Sequence, residues 1–330
     1  MGEVALRFLQ GSLDVSKGSN VAATRIIAGR ITNPSFNQER AFVDEDRGSF
    51  AASYRYVTGA KDYGFTLDVE QVSYEQLGWV LQTAAKGSVA PVGGVTTFTP
   101  STTGVTGDDL QAASFEFGDD TQGFLTTYCE ANSWTLGFDA LTPAGSFPLK
   151  FSGSYFASSL TSNTKTPGLT YPTLTTIEAT TGHFYIGTTS TAYGSIAELK
   201  GSLRAFELQW DNALAKKLFV GDGKNFSAMG RGKRVVTFTA TFEGNSDGVT
   251  RFVEWDLATE KRIRVSFVDD ATHYLYIDGR VLFTTFDPVA SIDTNTVFNI
   301  EGRFVVENTD NSGLDSDIRL TVGNGETSYT

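Results

Sequence analysis

Residues 149–155 read "LKFSGSY" and residues 298–304 read "FNIEGRF". Leu149, Phe151, Gly153 and Tyr155 answer to Phe298, Ile300, Gly302 and Phe304, so an apolar residue, a second one, a glycine and an aromatic recur at every other position. A period of two places these residues on one face of a β-strand and Lys150, Ser152, Ser154, or Asn299, Glu301 and Arg303, on the other. The chain therefore writes one strand twice, and the order of what surrounds each copy decides the fold.

In the first half, "ATRIIAGRIT" (23–32) reads as a strand and "NPSFNQERAFVDEDRG" (33–48) as a long polar loop. Strands follow at "FAASYRYV" and "YGFTLDVE". "SYEQLGWVLQTAAKG" (73–87) predicts a short helix with Ser73 as N-cap, Leu77, Val80 and Leu81 on one face, and Gly87 as the stop. After a Gly/Thr/Ser/Pro-rich loop come "ASFEFG", "TTYCEANSWTLGFD" and "FPLKFSGSYFAS". The second half repeats the order with "SLRAFELQWD", a Gly- and Lys-rich loop, and "KRVVTFTATFEG". A helix in "GVTRFVEWDLATE" with Phe252 and Trp255 inward comes next, then "RIRVSFVD", "HYLYIDGRVLFTTFD" and "VFNIEGRFVVEN". Offsets between matched elements shrink from about 180 to 149, as unequal loops produce. The expectation is a mainly β chain of two tandem β-sandwich or partial-barrel domains, each with one short flanking helix, at residues 1–160 and 181–330, joined by a polar, proline-containing linker at 161–180.

Composition agrees with strands and narrows function. The 330 residues include 25 Phe and 34 Gly, and only 19% are charged. A net charge of −12 disfavours a protein that grips nucleic acid, because affinity for phosphate comes from clustered Lys and Arg. No apolar run is long enough for a membrane span, and the start lacks a charged segment followed by a long apolar one, so a chain neither membrane-spanning nor exported is expected. Cys129 is the one cysteine, so no intrachain disulfide forms, and its alternation with small residues fits a half-buried, inert thiol.

Reactive motifs are sparse. His183 and His273 lie in strand-like aromatic runs without zinc-ligand spacing, and HExxH, CxxC and GxSxG do not occur. "GDGKNFSAMGRGKR" (221–234) lacks the P-loop glycine, Leu218 or Ser227 standing in its place, and the following Ser/Thr, where Asn225 or Arg234 stands, so it reads as a basic flexible loop. "NTDNSGLDSD" lacks the spacing of an EF-hand. No enzyme activity, metal or cofactor is expected.

The opening "ALRFLQGSLDVSKGSNVAATRIIAGRIT", the central "TYCEANSWTLGFD" and above all "GSLRAFELQWDNALAKKLFVGDGKNFSAMGRGKRVVTFTATF" give the chain a resemblance, from about Ala5 to Asn308, to the tail tube proteins of long-tailed bacteriophages, the subfamily with a duplicated tube domain. The resemblance implies a structural virion protein, assembled in the host cytoplasm, that stacks as rings around a continuous inner barrel through which the genome passes. Its implied partners are further copies of itself, three per ring with pseudo-sixfold geometry, together with tape-measure and tail-end proteins; DNA is non-sticking cargo. The rival reading of the same sandwich is a fibre or carbohydrate-binding virion module, which would place exposed aromatics in a concave site.

Two sets of residues carry this reading. In "YGFTLDVE" and "RVVTFTATFE" the polar positions Thr66, Asp68, Glu70 and Thr237, Thr239, Thr241, Glu243 share one strand face, the chemistry of a wall beside passing phosphate; an exterior face in solvent has the same pattern. Asp44, Glu45 and Asp46 in one loop and Lys216, Lys217, Lys224 and Arg231 in its counterpart carry opposite charge, which suits contacts between subunits or rings; two solvated loops have the same composition.

Overall fold

The computed structural model describes residues 7–19, 21–43, 55–87, 89–101, 109–119, 121–139, 147–199, 203–220, 223–244, 246–292, 295–306 and 316–329. Alternation sets the strands. Phe65, Leu67 and Val69 are buried while Thr66 and Asp68 between them are half-buried, and Val236, Phe238 and Ala240 alternate in the same way with Thr237 and Thr239. The chain is mainly β, with two helices among the described residues and large antiparallel sheets.

The first half contains β1 (Phe8–Leu13), β2 (Arg25–Ile26), β3 (Arg30–Val43), β4 (Arg55–Val69), α1 (Tyr74–Ala84), β5 (Val95–Phe98), β6 (Ala113–Gly118), β7 (Gly123–Asp139), β8 (Lys150–Ala157) and β9 (Ser159–Asn163). The second contains β10 (Gly182–Gly187), β11 (Leu203–Asp211), β12 (Leu214–Lys217), β13 (Ala228–Arg231), β14 (Val235–Glu243), α2 (Ser246–Asp256), β15 (Lys261–Val268), β16 (Tyr274–Ile292), β17 (Asn295–Val305) and β18 (Ile318–Gly323). Pairing runs β3-β4-β8-β7-β6-β1 in the first half, with β9 beside β7. It runs β11-β14-β17-β16-β15-β10 in the second, with β18 beside β16. The order is the same, and the two stretches quoted at the outset are the equivalent strands β8 and β17.

β7 and β16 are each shared between two layers. The first part of β7 pairs with β6 and β9; after a register shift at Ala131/Ser133, with Tyr128 at φ 53°, its last part pairs with β8 and β11. Each half is thus a four-strand wall sheet backed by a second sheet, with aromatic side chains between the layers. Phe115 of β6 meets Phe65 and Tyr155 edge-on at 5.4 and 5.5 Å between ring centroids, and Phe184 of β10 meets Phe242 at 5.1 Å. The recurring glycine makes room for such rings: a side chain at Gly302 would lie 2.4 Å from the Phe238 ring.

The two walls form one. β7 pairs with β11 from Ser133↔Asp211 to Asp139↔Ala205, giving a run of eight wall strands, β3-β4-β8-β7-β11-β14-β17-β16. A single apolar core extends through both halves. β18 also pairs with β5 of the first half, and the buried Tyr329 lies against Gly78 of α1, its hydroxyl bonded to Thr96 (2.7 Å) and Asn324 (2.9 Å).

Several local expectations need correction. The region expected as a polar loop from residue 33 continues as strand to Val43, because the register shift between Thr32 and Ser35 accommodates Pro34. α1 ends at Ala84, before Gly87, and is buried along nearly its whole length. Phe252 of α2 is 42% exposed rather than inward. Residues 161–180 begin inside β9 and later lie against the first half, with Ile177 fully buried and its N–H bonded to the Val72 carbonyl.

Burial pushes the Asp14 carboxyl up to about 6, against the lowering effect of the Ser114 hydroxyl bonded to it at 2.6 Å. A carboxyl raised on folding keeps its proton longer in the native state, so its effect is to make stability fall as pH rises from about 4 to 6, by about 2–3 kcal/mol at most. Asp14→Asn is expected to flatten that part of the pH profile and to raise the urea midpoint at pH 7; the difference between variant and parent across pH 4–7 measures it.

Candidate functional site

The polar face of the eight-strand wall is built in rows by the strand register. One row runs Asp68, Ser152, Thr135, Gln209, Thr237, Arg303; the next runs Lys150, Gly137, Glu207, Thr239, Glu301, Thr285. Thr66, Asp68, Thr237 and Thr239 therefore lie on a common surface across both halves. Glu70 and Glu243 stand at one end of it; Thr241 is nearly buried. Alternation within each strand made these positions legible, whereas the register that aligns them, and the contribution of Glu207, Gln209 and Glu301, depends on which strands adjoin.

The charges of this face are unequal in kind. Asp68 accepts hydrogen bonds from the hydroxyls of Thr32 (2.5 Å) and Ser152 (2.6 Å), neutral partners that leave its charge in place. Glu70 instead meets Arg30 at 2.8 Å and Lys150 at 3.5 Å, and Glu243 meets Arg204 at 2.6 Å. The wall thus carries, beside Lys150 and Arg303, the cations Arg30 and Arg204 that the strand-by-strand reading omitted, and Asp68 is the predicted acid with the least compensation.

At one end of the wall β12 and β13 form a hairpin that folds back onto the first half. Lys216 bonds Asp62 and the Tyr63 carbonyl (3.0 Å) and sits 4.2 Å above the Phe156 ring. Phe226 is buried against Tyr128, and its carbonyl accepts from the Ser158 hydroxyl at 2.6 Å. Arg231 bonds the Asn212 side-chain oxygen at 2.8 Å and reaches the Ala85 carbonyl of the first half at 3.5 Å. Lys216 and Arg231 therefore hold the two halves of one chain together, while Lys217 and Lys224 remain exposed. Asp44, Glu45 and Asp46 lie outside the described residues.

The other titratable candidates sit apart from this face. Cys129 is buried, which pushes its thiol far up. His183 contacts Glu198 at 2.7 Å on the surface. Asp269, Asp270 and His273 bring donor atoms within 4.8 Å of one another, but Asp270 accepts the backbone N–H groups of Thr272 and His273 and so serves the β15–β16 turn; the hydrogen bond from the His273 ring is the first of the contacts that lower its carboxyl to about 2. No described helix is long and apolar enough to cross a membrane.

This architecture defines a class: a two-layer β protein whose wall sheet is continuous across two similar halves and polar on its outward side. Among known proteins, no family model matches the chain and no curated protein matches it.

The hairpin clasp is directly testable. Lys216→Ala is expected to speed amide exchange at Ala228–Arg231 several-fold while changing global stability by no more than about 1 kcal/mol, since an ion pair with an exposed partner contributes little.

Proposed function

We propose that this chain is a tail tube protein of a long-tailed bacteriophage, and that it builds the conduit by adding its wall sheet edge to edge with further copies. The observation that carries the reading is the β7–β11 junction. Inside the chain, the last part of β7 is paired by the next half's β11. Its equivalent, residues 282–292 of β16, pairs only with β17 among the described residues, and β3, the equivalent of β11, pairs only with β4. One junction is filled within the chain; the matching one is left as two open edges.

Carrying the β7–β11 register through the repeated pairing puts Asp287 opposite Arg30 of a second copy, where Gly137 faces Glu207, and Thr285 opposite Thr32, where Thr135 faces Gln209. The first pair has opposite charge. The helices support the same reading: α1, beside the filled junction, is buried, while α2 exposes Phe252 and Val253.

Eight wall strands per chain give about 24 in a ring of three. At about 4.8 Å spacing and about 40° tilt the backbone diameter is on the order of 48 Å, and side chains leave roughly 38 Å, enough for a duplex. A lumen of hydroxyls and carboxylates whose cations are largely paired with acids, in a chain of net charge −12, suits DNA that must pass without adhering.

Negative-stain microscopy of the concentrated protein is expected to show rings or tubes with threefold symmetry, and the double variant Thr32→Cys/Thr285→Cys to form disulfides between copies in them. Monodisperse monomers at high concentration overturn the reading. Within assembled tubes, Asp68→Lys with Glu70→Lys is expected to leave assembly intact and slow genome ejection, most at low salt; unchanged ejection there removes the lumen assignment.

A further inference from the structure

Away from the wall, the β15–β16 turn of the second half meets the first turn of α1 in the first. Asp269, Asp270 and His273 of the turn bring three ligand atoms within 4.8 Å of one another, and Glu75 of α1 faces the same histidine. Among the described residues no lysine or arginine pairs with any of these carboxylates. Three acids share one imidazole.

The two ring nitrogens have different surroundings. Nδ1 stands 3.0 Å from Asp270 Oδ2, and Nε2 stands 3.4 Å from Glu75 Oε1 on the far side of the ring. A neutral imidazole carries a single N–H, so with that proton toward Glu75 it turns a lone pair toward Asp270. Two such acceptors in contact repel unless a cation joins them. Asp270 spends only Oδ1 on the turn, where it accepts the N–H groups of Thr272 and His273, which leaves Oδ2 for that cation. Glu75 is itself fixed, its Oε2 accepting the Thr175 N–H at 2.9 Å. A carboxylate on the far nitrogen is the common support of a metal-bound histidine, because it sets the tautomer and the ring orientation.

Tyr74 adds an independent sign. It is fully buried, its ring centroid 5.8 Å from that of His273. Its hydroxyl makes no hydrogen bond, since the Thr181 hydroxyl near it donates to the Glu178 carbonyl instead. The charged groups around that hydroxyl are Asp269, Asp270 and Glu75, so a buried, unspent donor is aimed into the cluster.

We propose that Asp269, Asp270 and His273 bind one divalent ion of zinc character through two carboxylate oxygens and Nδ1, with Glu75 holding Nε2 and the Tyr74 hydroxyl bonding a water on the ion. Ligand atoms about 2.1 Å from one ion stand up to about 4.2 Å apart, so the three atoms need to draw in by at most about 0.6 Å. The imidazole selects against calcium, which takes oxygen ligands. Because the ligands lie in the second half and their support in the first, a loaded site ties the halves together far from the hairpin clasp, whether or not the chain forms rings.

The test titrates Zn²⁺ into the metal-free full chain by calorimetry. One ion per chain is expected, bound at least tenfold more tightly than Ca²⁺, with amide exchange slowed several-fold at residues 269–275 and 74–78. Asp269→Asn and His273→Gln are each expected to lower the affinity at least tenfold, and Glu75→Gln, which keeps the Thr175 bond, by about ten- to a hundredfold. His183→Gln, at the other histidine, is expected to leave it unchanged. Absence of stoichiometric Zn²⁺ binding by the unaltered protein overturns the site and leaves the Nδ1–Asp270 contact as a hydrogen bond of the turn. Binding that survives both Asp269→Asn and His273→Gln, or that Ca²⁺ equals, overturns it as well.

Discussion

Trp134 of β7 and Trp210 of β11 stack across the centre of the wall, 5.0 Å apart with planes 19° from parallel. Next to them Asn212 spends its whole side chain on the same junction: its amide donates to the carbonyls of Ala84 (2.7 Å) and Ala131 (2.9 Å), and its oxygen accepts from the Trp210 indole and the Arg231 guanidinium. The Trp134 indole donates to the Ala84 carbonyl as well. A carbonyl in the last turn of a helix has no partner inside the helix, so the end of α1 is completed by the wall and by the second half. Removing β11 together with Asn212 would uncover Trp134 and take from the Ala84 carbonyl one of its two side-chain donors. The halves consequently share one core, although each has the strand order of a separate sandwich.

The polar face answers to a different constraint. Ion pairs there, such as Arg30 with Glu70, join side chains more than half exposed and contribute at most about 1 kcal/mol. Stability comes from the aromatic layer behind the wall, so folding places little constraint on the charges on its front. Asp68 illustrates this: hydroxyls rather than cations hold it, which fixes its position without cancelling its charge.

Much of this was legible in the sequence because period two survives on one buried face. The strands around Phe65 and Phe238, the helix capped by Ser73, and the equivalence of β8 and β17 all follow from local pattern. What was not legible depends on neighbours distant in sequence. Pro34 disguised β3 as a loop because a bulge absorbs it. The β5–β18 pair joins residues more than two hundred apart, and Arg30 and Arg204 become part of the wall only through register. Phe252 was read as inward because its helical periodicity is right; among the described residues no layer covers it.

That last difference bears on why a doubled chain is useful. α1 and α2 occupy the same place in the strand order, yet one is covered and the other exposes Phe252 and Val253. Covalent linkage makes the first junction intramolecular, so it forms without the translational and rotational cost of association. An assembly from such chains has half as many junctions left to form between molecules, and each remaining one can diverge from its internal counterpart. The facing Gly137 and Glu207 inside the chain, against Arg30 and Asp287 at its open edges, is a divergence of that kind: the internal pair needs no charge to find its partner, whereas in the proposed ring edges meeting through solution would gain orientation and rate from opposite charges.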